Sequence, residues 1–236
     1  MQVATVYLMV HCRNADLVCL NLLLGNSNMG QIEQLGLFPT PVLRSTLGRE
    51  FTKSEINYFS GLRAKGTTIN AGNTTSSNTY LFNDAPMKKI RAFAEESINA
   101  YIQAIIKPKY ECELYITQAW ANFSDPGQFH HQHAHPGSVI SGVFYANANR
   151  DLDKIQFTRP GLQYTQIEIM TEDFNPFNSK SWWIPVGTGD LILFPSWFTH
   201  EVPRTESQET RISIAFNTFI RGQVGDDRSL TGLYLK

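Results

Sequence analysis

Hydrophobic positions recur with a helical period in two stretches of the first half of the chain. Apolar residues return every three or four positions in 53–64, and Thr52 with Glu55 has the spacing of an N-terminal capping box. A second, longer stretch keeps one apolar face from residue 86 to about residue 107, and Asp84 stands where a cap is needed. The sequence therefore predicts two helices, the second of which packs against a sheet.

Residues 65–82 lack a hydrophobic period and are rich in Gly, Thr, Asn and Ser, which predicts a loop. Beyond residue 110 the period changes to two, with β-branched and aromatic residues in short runs between turn signals. These runs predict eight strands, at 111–120, 128–135, 138–147, 154–158, 165–170, 181–186, 190–195 and 210–219.

Eight short strands after two helices indicate a mainly β fold with flanking helices. We expect a double-stranded β-helix, or jelly roll, in which two antiparallel sheets enclose the mouth of a ligand site. Residues 187–190 read as a tight turn between strands, and 159–181 reads as a loop that covers the mouth. One domain over residues 34–236 accommodates all of these elements.

Residues 1–33 differ from the rest and are predicted to be an N-terminal extension. Their two apolar runs are separated by polar residues, so neither forms the run of about 20 apolar residues that a membrane span needs. A basic start typical of a signal peptide is also missing at Met1-Gln2. The three cysteines, Cys12, Cys19 and Cys112, leave an odd thiol and favour a reducing, cytoplasmic location.

Composition is that of an ordinary globular protein, with 42% hydrophobic and 17% charged residues. The formal net charge of −1 and the absence of a basic run in the sequence argue against nucleic acid as a partner. The sequence predicts no membrane association and identifies neither the substrate nor the oligomeric state.

The most informative stretch is histidine-rich and holds four of the six histidines, between residues 130 and 135. Side chains two apart on a strand share a face, so His131, His133 and His135 are predicted to form a row of imidazoles. Neutral imidazole binds iron, zinc, copper and nickel. Two such histidines together with the distant His200 can hold one ion and leave other coordination positions open.

Eleven residues after His200 stands Arg211, in a strand-like run that also contains Ser213. Arginine grips a carboxylate through two parallel hydrogen bonds. A serine two positions further lies on the same strand face and can donate to the same carboxylate. The combination of a histidine cluster, a distant histidine and this arginine is far more specific than its parts.

In order along the chain, the motifs are His-x-His, then Ser-Gly-Val-Phe-Tyr at 141–145, then Gly-Asp-Leu-Ile-Leu-Phe-Pro-Ser-Trp leading to His200, then Arg-Ile-Ser-Ile-Ala-Phe-Asn at 211–217. This order resembles the 2-oxoglutarate- and Fe(II)-dependent oxygenases, in particular a branch with a histidine-rich first motif. The resemblance runs from about residue 37 to residue 220, and its specific motifs lie in 120–147 and 187–219.

The resemblance implies an enzyme that uses Fe(II), O2 and 2-oxoglutarate as cosubstrate. It implies that His133, His135 and His200 hold the iron, while Arg211 and Ser213 bind the distal carboxylate of 2-oxoglutarate. The implied reaction couples decarboxylation of 2-oxoglutarate, which gives succinate and CO2, to oxidation of a C–H bond, with hydroxylation as the default outcome. Asn122 and Asn217 are further candidates for the cosubstrate pocket.

One departure from the family concerns position 135, where the usual first motif has Asp or Glu. Three neutral ligands leave the site more positive by one charge, so a metal other than iron stays an alternative. The ligand register is open as well, since His131 and His133 have the same spacing as His133 and His135. His133 belongs to both pairs.

Several residues have plainer readings. Arg211 can pair with a surface carboxylate such as Glu209, and Asn122 and Asn217 can satisfy backbone groups. Tyr145 and the tryptophans are assigned to the core; the latter are Trp120, Trp182, Trp183 and Trp197. An alternative function is a cupin-like, metal-binding jelly roll without 2-oxoglutarate-dependent activity, acting as a small-molecule binder or a structural module.

Overall fold

The computed structural model describes residues 36–161 and 169–236, together with the backbone of two short strands, Leu20–Asn21 (β1) and Glu33–Gln34 (β2). The chain divides into two compact units, Met1–Thr40 and Pro41–Lys236. In the first unit, β1 and β2 pair antiparallel. Most of the predicted extension 1–33 lies outside the described residues, and the predicted domain boundary stays a prediction.

In the second unit, the described residues form two α-helices and twelve strands. The helices are α1 (Lys53–Leu62) and α2 (Lys88–Tyr101). The strands are β3 (Leu43–Thr46), β4 (Thr67–Asn70), β5 (Asn73–Ser76), β6 (Cys112–Ser124), β7 (His130–His133), β8 (Ile140–Asn147), β9 (Lys154–Thr158), β10 (Ser181–Pro185), β11 (Asp190–Pro195), β12 (His200–Val202), β13 (Arg211–Val224) and β14 (Leu233–Leu235). Within the described residues, no helix has the length and apolar character needed to cross a membrane.

Helix α1 begins with the predicted capping box. The Thr52 hydroxyl accepts from the backbone N–H of Glu55 at 3.3 Å, and the Glu55 carboxylate accepts from the backbone N–H of Thr52 at 2.7 Å. Arg49 adds two further hydrogen bonds to the same carboxylate, of 2.7 and 2.8 Å. The reciprocal bonds satisfy two N–H groups that a helix start leaves open, and the apolar face of the helix then packs into the core.

Helix α2 follows a 3-10 turn at Ala85–Met87, so the predicted start near residue 86 is confirmed but the predicted cap is wrong. The described residues give Asp84 no side-chain capping bond; its carboxylate accepts from the Tyr58 hydroxyl at 2.7 Å instead. After α2 a single π-helical turn at Ile102–Ile106 ends the element at Lys107, whose φ of 47° is left-handed.

Two antiparallel sheets form the jelly roll, and the predicted fold class is confirmed. The larger sheet has eight strands in the order β3-β11-β8-β13-β6-β5-β4, with β14 added at β13, and the smaller has the order β10-β9-β12-β7. One face of the larger sheet joins the helices in a core that includes Phe144, Ile214 and Phe216. Its other face forms a second core with the smaller sheet, built around residues such as Tyr145, Phe157 and Phe194. The second core surrounds the inside of the roll.

Most predicted strands are confirmed, and those at 154–158 and 190–195 agree at both ends. The predicted loop at 65–82 is wrong in its first half, because β4 and β5 form an antiparallel hairpin there. The predicted strand at 165–170 lies largely outside the described residues, and residues 169–170 are not in a strand.

The tryptophan assignment is only partly right. Trp120 packs against the inner core, but Trp182, Trp183 and Trp197 are 39%, 48% and 59% exposed, so they are not core residues. Trp182 and Trp183 stand on β10, at the edge of the smaller sheet, where no further strand of the described chain covers them.

Candidate functional site

Strands β7 and β12 bring two of the predicted histidines together. His200 opens β12 and is the direct partner of His133, the last residue of β7. His135 lies just beyond β7, where its backbone N–H donates to the carbonyl of Ser196 at 2.9 Å. Ring nitrogens of His133, His135 and His200 lie within 4.8 Å of one another, which is close enough for all three to hold one ion.

Hydrogen bonds to the backbone fix the tautomers of two of these imidazoles. Nδ1 of His133 lies 2.7 Å from the carbonyl oxygen of His131, and Nδ1 of His200 lies 3.0 Å from that of Phe198. Because a carbonyl only accepts, each Nδ1 carries the proton and each Nε2 is left as a bare acceptor. Metal-binding histidines are commonly oriented by such bonds from their second nitrogen.

The contact between His135 and His200 also fits a cation. Their Nε2 atoms lie 3.4 Å apart, and the Nε2 of His200 is unprotonated by the preceding argument. A cation between the two rings can draw on both lone pairs. The third donor, His133, has its ring centroid 4.4 Å from that of His200 and 5.0 Å from that of His135.

The three imidazoles are neutral near pH 7. Burial, followed by the neighbouring imidazoles, lowers the pKa of His200 to about 3 and that of His135 to about 4. Burial lowers the pKa of His133 as well. Neutral imidazole is the form that binds a metal, so the site is ready to take one without releasing protons.

Aromatic residues surround the cluster. The rings of Phe194 and Phe157 lie 4.6 and 5.9 Å from that of His200, and the Trp120 ring lies 5.9 Å from that of His135. Apolar walls of this kind keep bulk water away from a bound ion and lower the local dielectric constant.

The regular row predicted for His131, His133 and His135 is interrupted, because β7 ends at His133, two residues before His135. Among the described residues, the ring nitrogens of His131 lie close to those of His130 and His133. His131 does not belong to the group of potential metal ligands formed by His133, His135 and His200. The rings of His130 and His133 are stacked at 4.4 Å with an interplanar angle of 18°. Only the register of His133 and His135 brings the distant His200 into the same group of ligand atoms among the described residues, so the geometry favours that register.

Arg211 and Ser213 lie on the face of β13 that is turned toward the smaller sheet. Arg211 pairs with Ser124 of β6, and Ser213 lies between Asn122 of β6 and Tyr145 of β8. Directly opposed residues of antiparallel strands share a face, so these side chains form a polar patch inside the roll. All five residues are at most 4% exposed.

The guanidinium of Arg211 is only partly satisfied. Its Nη2 donates to the Ser124 hydroxyl at 3.2 Å, whereas Nε and Nη1 meet no acceptor in the part of the chain that the structure describes. Burial lowers the pKa of Arg211, and the charges of Tyr145 and Asp153 act in the opposite direction. A buried guanidinium with two open donors is costly unless an anion completes it, so this residue is suited to a bound carboxylate.

The two candidate asparagines occupy different places. Asn122 lies beside Ser213, and its Oδ1 has no partner among residues 36–161 and 169–236. Asn217 lies at a bulge of β13, where its Oδ1 accepts from the Ser141 hydroxyl at 2.9 Å and its side chain hydrogen-bonds to His135. The structure therefore brings Asn217 to the histidines rather than to Arg211.

Two residues near Arg211 were missed as site residues from the sequence. Ser124 supplies the hydrogen bond that orients the guanidinium, and Tyr145, assigned to the core, is close enough for the Arg211 charge to act on its phenol. Burial nevertheless raises the pKa of Tyr145, which therefore stays neutral and can donate. Both residues stand at alternate strand positions that face the roll, a signal the sequence contains once the strand register is known.

A cleft of about 170 Å³ also borders Arg211, at the end where β8 leaves the sheet. Its lining includes the carboxylates of Asp153 and Glu209, so its charge does not suit an anion. Glu209 forms no ion pair with Arg211 among the described residues. The alternative interpretation, in which Arg211 simply pairs with this surface carboxylate, is therefore wrong.

The comparisons with known proteins agree with this geometry. Residues 118–217 match the family model described as "Putative 2OG-Fe(II) oxygenase". None of the curated proteins matches the sequence.

Solved structures of similar fold include two prolyl hydroxylases. The prolyl-4-hydroxylase of Pseudomonas putida is 13% identical, with 75% of this chain and 92% of that chain covered and a TM-score of 0.50. A prolyl hydroxylase of Trichoplax adhaerens, solved with a fragment of the hypoxia inducible factor oxygen degradation domain, is 17% identical, with 82% and 87% covered and a TM-score of 0.50.

The epimerase SnoN, solved with Fe3+, alpha ketoglutarate and nogalamycin RO, is 10% identical over 76% of this chain and 79% of its own, with a TM-score of 0.54. At these identities the likeness shows the fold alone, and the family match rests on residues 118–217. Through that stretch the chain is similar to the 2-oxoglutarate- and Fe(II)-dependent oxygenases, the family that its motifs resemble.

Proposed function

We propose that the protein is a hydroxylase in which His133, His135 and His200 hold Fe(II), while Arg211 and Ser213 hold the distal carboxylate of 2-oxoglutarate. The single observation that carries the proposal is the buried Arg211, whose two open donors lie in the same roll as the three imidazoles. In the cupin-like alternative, a binder without 2-oxoglutarate, nothing compensates the burial of this guanidinium.

When bound, Fe(II) together with 2-oxoglutarate and O2 supplies the oxidising chemistry, which couples formation of succinate and CO2 to oxidation of a substrate C–H bond. The residues of this chain bind and orient the reactants. Arg211 neutralises the distal carboxylate, and the Ser124 hydroxyl fixes the direction of the guanidinium. The hydroxyl of Ser213, on the same face, donates to the same carboxylate.

The remaining polar groups have supporting roles. The carbonyls of His131 and Phe198 hold the rings of His133 and His200 in the tautomer that leaves Nε2 free. Asn217 holds the ring of His135. Phe157, Phe194 and Trp120 exclude water from the oxidising centre, which limits side reactions.

The ligand set carries no negative charge, so the metal keeps its full double charge before the cosubstrate arrives. A site of this kind favours an anionic cosubstrate more strongly than a site with a carboxylate ligand. The buried positive charge of Arg211 acts in the same direction. We therefore expect 2-oxoglutarate binding to be the event that balances the charge of the cavity.

The test is an anaerobic titration of the protein with Fe(II) and 2-oxoglutarate, followed by the metal-to-ligand charge-transfer absorption. We expect the band in the wild type and a loss of 2-oxoglutarate affinity in Arg211→Gln, with Fe(II) binding retained. Arg228→Ala, at an exposed position, serves as the matched control. Normal Fe(II) binding without the band at any 2-oxoglutarate concentration would favour the cupin-like alternative.

The cytoplasmic location stays a prediction of the sequence, which does not identify the substrate. Trp182 stands in the same cross-strand row as Phe157, His200 and His133, since each is the direct partner of the next. Its partly exposed ring is thus on the side of the metal ligands and is available to an organic substrate at the mouth.

A further inference from the structure

The hairpin of β4 and β5, which the sequence did not predict, contributes a residue to the inside of the roll. In β5, Thr75 is the direct partner of Asn122, whose side chain belongs to the Arg211 patch. Asn73 is two positions before Thr75 and therefore lies on the same face, level with Ser124. Asn73 is 3% exposed although it belongs to a polar hairpin.

The orientation of the Asn73 amide is fixed by its neighbours. Nδ2 of Asn70 donates to Oδ1 of Asn73 at 3.0 Å and lies 3.2 Å from Nε2 of His130. Since Oδ1 of Asn73 is the acceptor in this pair, its Nδ2 is the group that points away from Asn70. That Nδ2 is buried, and no described residue accepts from it.

The open Nδ2 of Asn73 and the open donors of Arg211 belong to side chains on the same inner face of the larger sheet, on strands separated only by β6. Ser124 stands on the strand between them, and the guanidinium reaches Ser124 with a hydrogen bond of 3.2 Å. Nη2 of Arg211 therefore reaches toward β6, the strand next to β5. Neighbouring strands are about 4.8 Å apart, so one small anion can span the remaining separation.

The hairpin is docked firmly enough to place this donor. The backbone N–H of Phe129 donates to the carbonyl of Gly72 at 3.1 Å, and Gly72 has a left-handed φ of 91°. A Cβ at this glycine would come within 2.7 Å of the Phe129 carbonyl oxygen, so the turn packs closely against the chain before β7. The next residue, His130, contacts the hairpin as well, because its Nε2 lies 3.2 Å from Nδ2 of Asn70.

We propose that Asn73 is a third donor to the distal carboxylate of 2-oxoglutarate, beside Arg211 and Ser213, and that Asn70 holds its amide in the donating orientation. This inference rests on the proposed function, because it assigns a residue of the hairpin to the same cosubstrate. Asn73 thereby helps the site select a dicarboxylate over a 2-oxo acid with an uncharged end.

The experiment compares two ligands of the same length. 2-Oxopentanoate keeps the 2-oxo acid that faces the metal but carries a methyl group where 2-oxoglutarate has its distal carboxylate. Affinities are measured anaerobically with Fe(II) by the charge-transfer absorption, in wild type, Asn73→Ala and Asn73→Asp. Asn73→Asp retains the acceptor for Asn70 while it replaces the donor with an acceptor. Thr67→Ala, exposed on the same hairpin, is the matched control.

We expect the Kd of 2-oxoglutarate to rise roughly tenfold or more in Asn73→Ala, as for a lost hydrogen bond to a charged group, and further in Asn73→Asp. The Kd of 2-oxopentanoate and the binding of Fe(II) stay at the wild-type values. Thr67→Ala behaves as the wild type with both ligands.

Unchanged 2-oxoglutarate affinity in both Asn73 variants overturns the inference, and so does an equal loss for the two ligands, which indicates a structural role. Fe(II) binding and thermal unfolding show whether each variant is folded. Because two substitutions of Asn73 are measured, the test still holds if one of the two variants fails to fold. If Arg211→Gln also binds 2-oxoglutarate normally, the proposed function itself fails. If Arg211→Gln loses affinity while the Asn73 variants do not, only the role of Asn73 is rejected.

Discussion

Acidification is expected to destabilise the metal-free protein in a pH range where its carboxylates contribute little. His135 and His200 are 9% and 3% exposed, and their pKa values fall from 6.5 to about 4 and about 3 on burial. In the unfolded chain both take up a proton as the pH passes about 6.5, while in the folded protein both stay neutral. The unfolded state thus binds more protons below that pH, so the free energy of unfolding falls as the pH is lowered.

The magnitude follows from the width of the pH interval. At a pH of about 5.5 the solution is about one unit below the unfolded pKa and still above both folded values, so each histidine costs about 1.4 kcal/mol. Together, His135 and His200 remove roughly 3 kcal/mol of stability between about pH 7.5 and about pH 5.5. Asp125, whose pKa is lowered to about 2 mainly by Arg63, loses its contribution only below the ordinary aspartate value of 3.8.

The assay is urea unfolding of the protein after treatment with a chelator, at both pH values. His200→Gln is expected to lose less stability than the wild type between these two pH values, by about 1.4 kcal/mol, because it removes one of the histidines that stay neutral in the folded protein. A free energy of unfolding that is unchanged, or that rises, between about pH 7.5 and about pH 5.5 would refute the reasoning, since the sign follows directly from neutral burial.

Three further substitutions test other parts of the structure. Ser124→Ala removes the hydroxyl that orients Arg211 and is expected to raise the Kd of 2-oxoglutarate a few-fold, roughly 3 to 10 times, with Fe(II) affinity unchanged; an unaltered Kd would contradict the role of Ser124. Gly72→Ala places a Cβ against the Phe129 carbonyl at a left-handed φ and should cost about 1–3 kcal/mol in thermal unfolding and weaken 2-oxoglutarate binding. Glu55→Ala removes the carboxylate that caps α1 and pairs with Arg49 and should cost about 1–2 kcal/mol in urea unfolding without changing 2-oxoglutarate affinity.

The parts of the fold that the sequence predicted are those where one side of an element faces an apolar core. Strands β9 and β11 could be placed from their hydrophobic residues, because these side chains are buried in the core. Helix α1 could be placed from its capping box, because the capping hydrogen bonds join residues that are close in sequence. The hairpin of β4 and β5 could not be found in this way. Apart from the polar Asn73 and Ser76, its side chains are exposed or only half-buried, so neither face requires apolar residues.

Within the site, the sequence pointed to the three histidines and to Arg211, but it misjudged how the first motif is built. A regular strand would have placed His131 in the row with His133 and His135, whereas β7 ends at His133 and the chain turns at Pro136 and Gly137. A bond from the backbone of His135 to Ser196 then sets the position of its ring. Such long-range bonds leave no local pattern in the sequence.

Under the proposed function, the charges inside the roll account for a neutral metal ligand at position 135. In a site with a carboxylate ligand, that carboxylate offsets part of the metal charge even before the cosubstrate binds. In this protein position 135 is a neutral imidazole. The buried guanidinium of Arg211 adds a positive charge to that of the metal, and two of its nitrogens have no hydrogen-bond partner among the described residues. Burial lowers the pKa of His130, with smaller contributions from the neighbouring histidines and from Arg211. Metal and guanidinium therefore destabilise each other until a doubly charged anion joins them, so affinity for a dicarboxylate should depend on both sites more than additively.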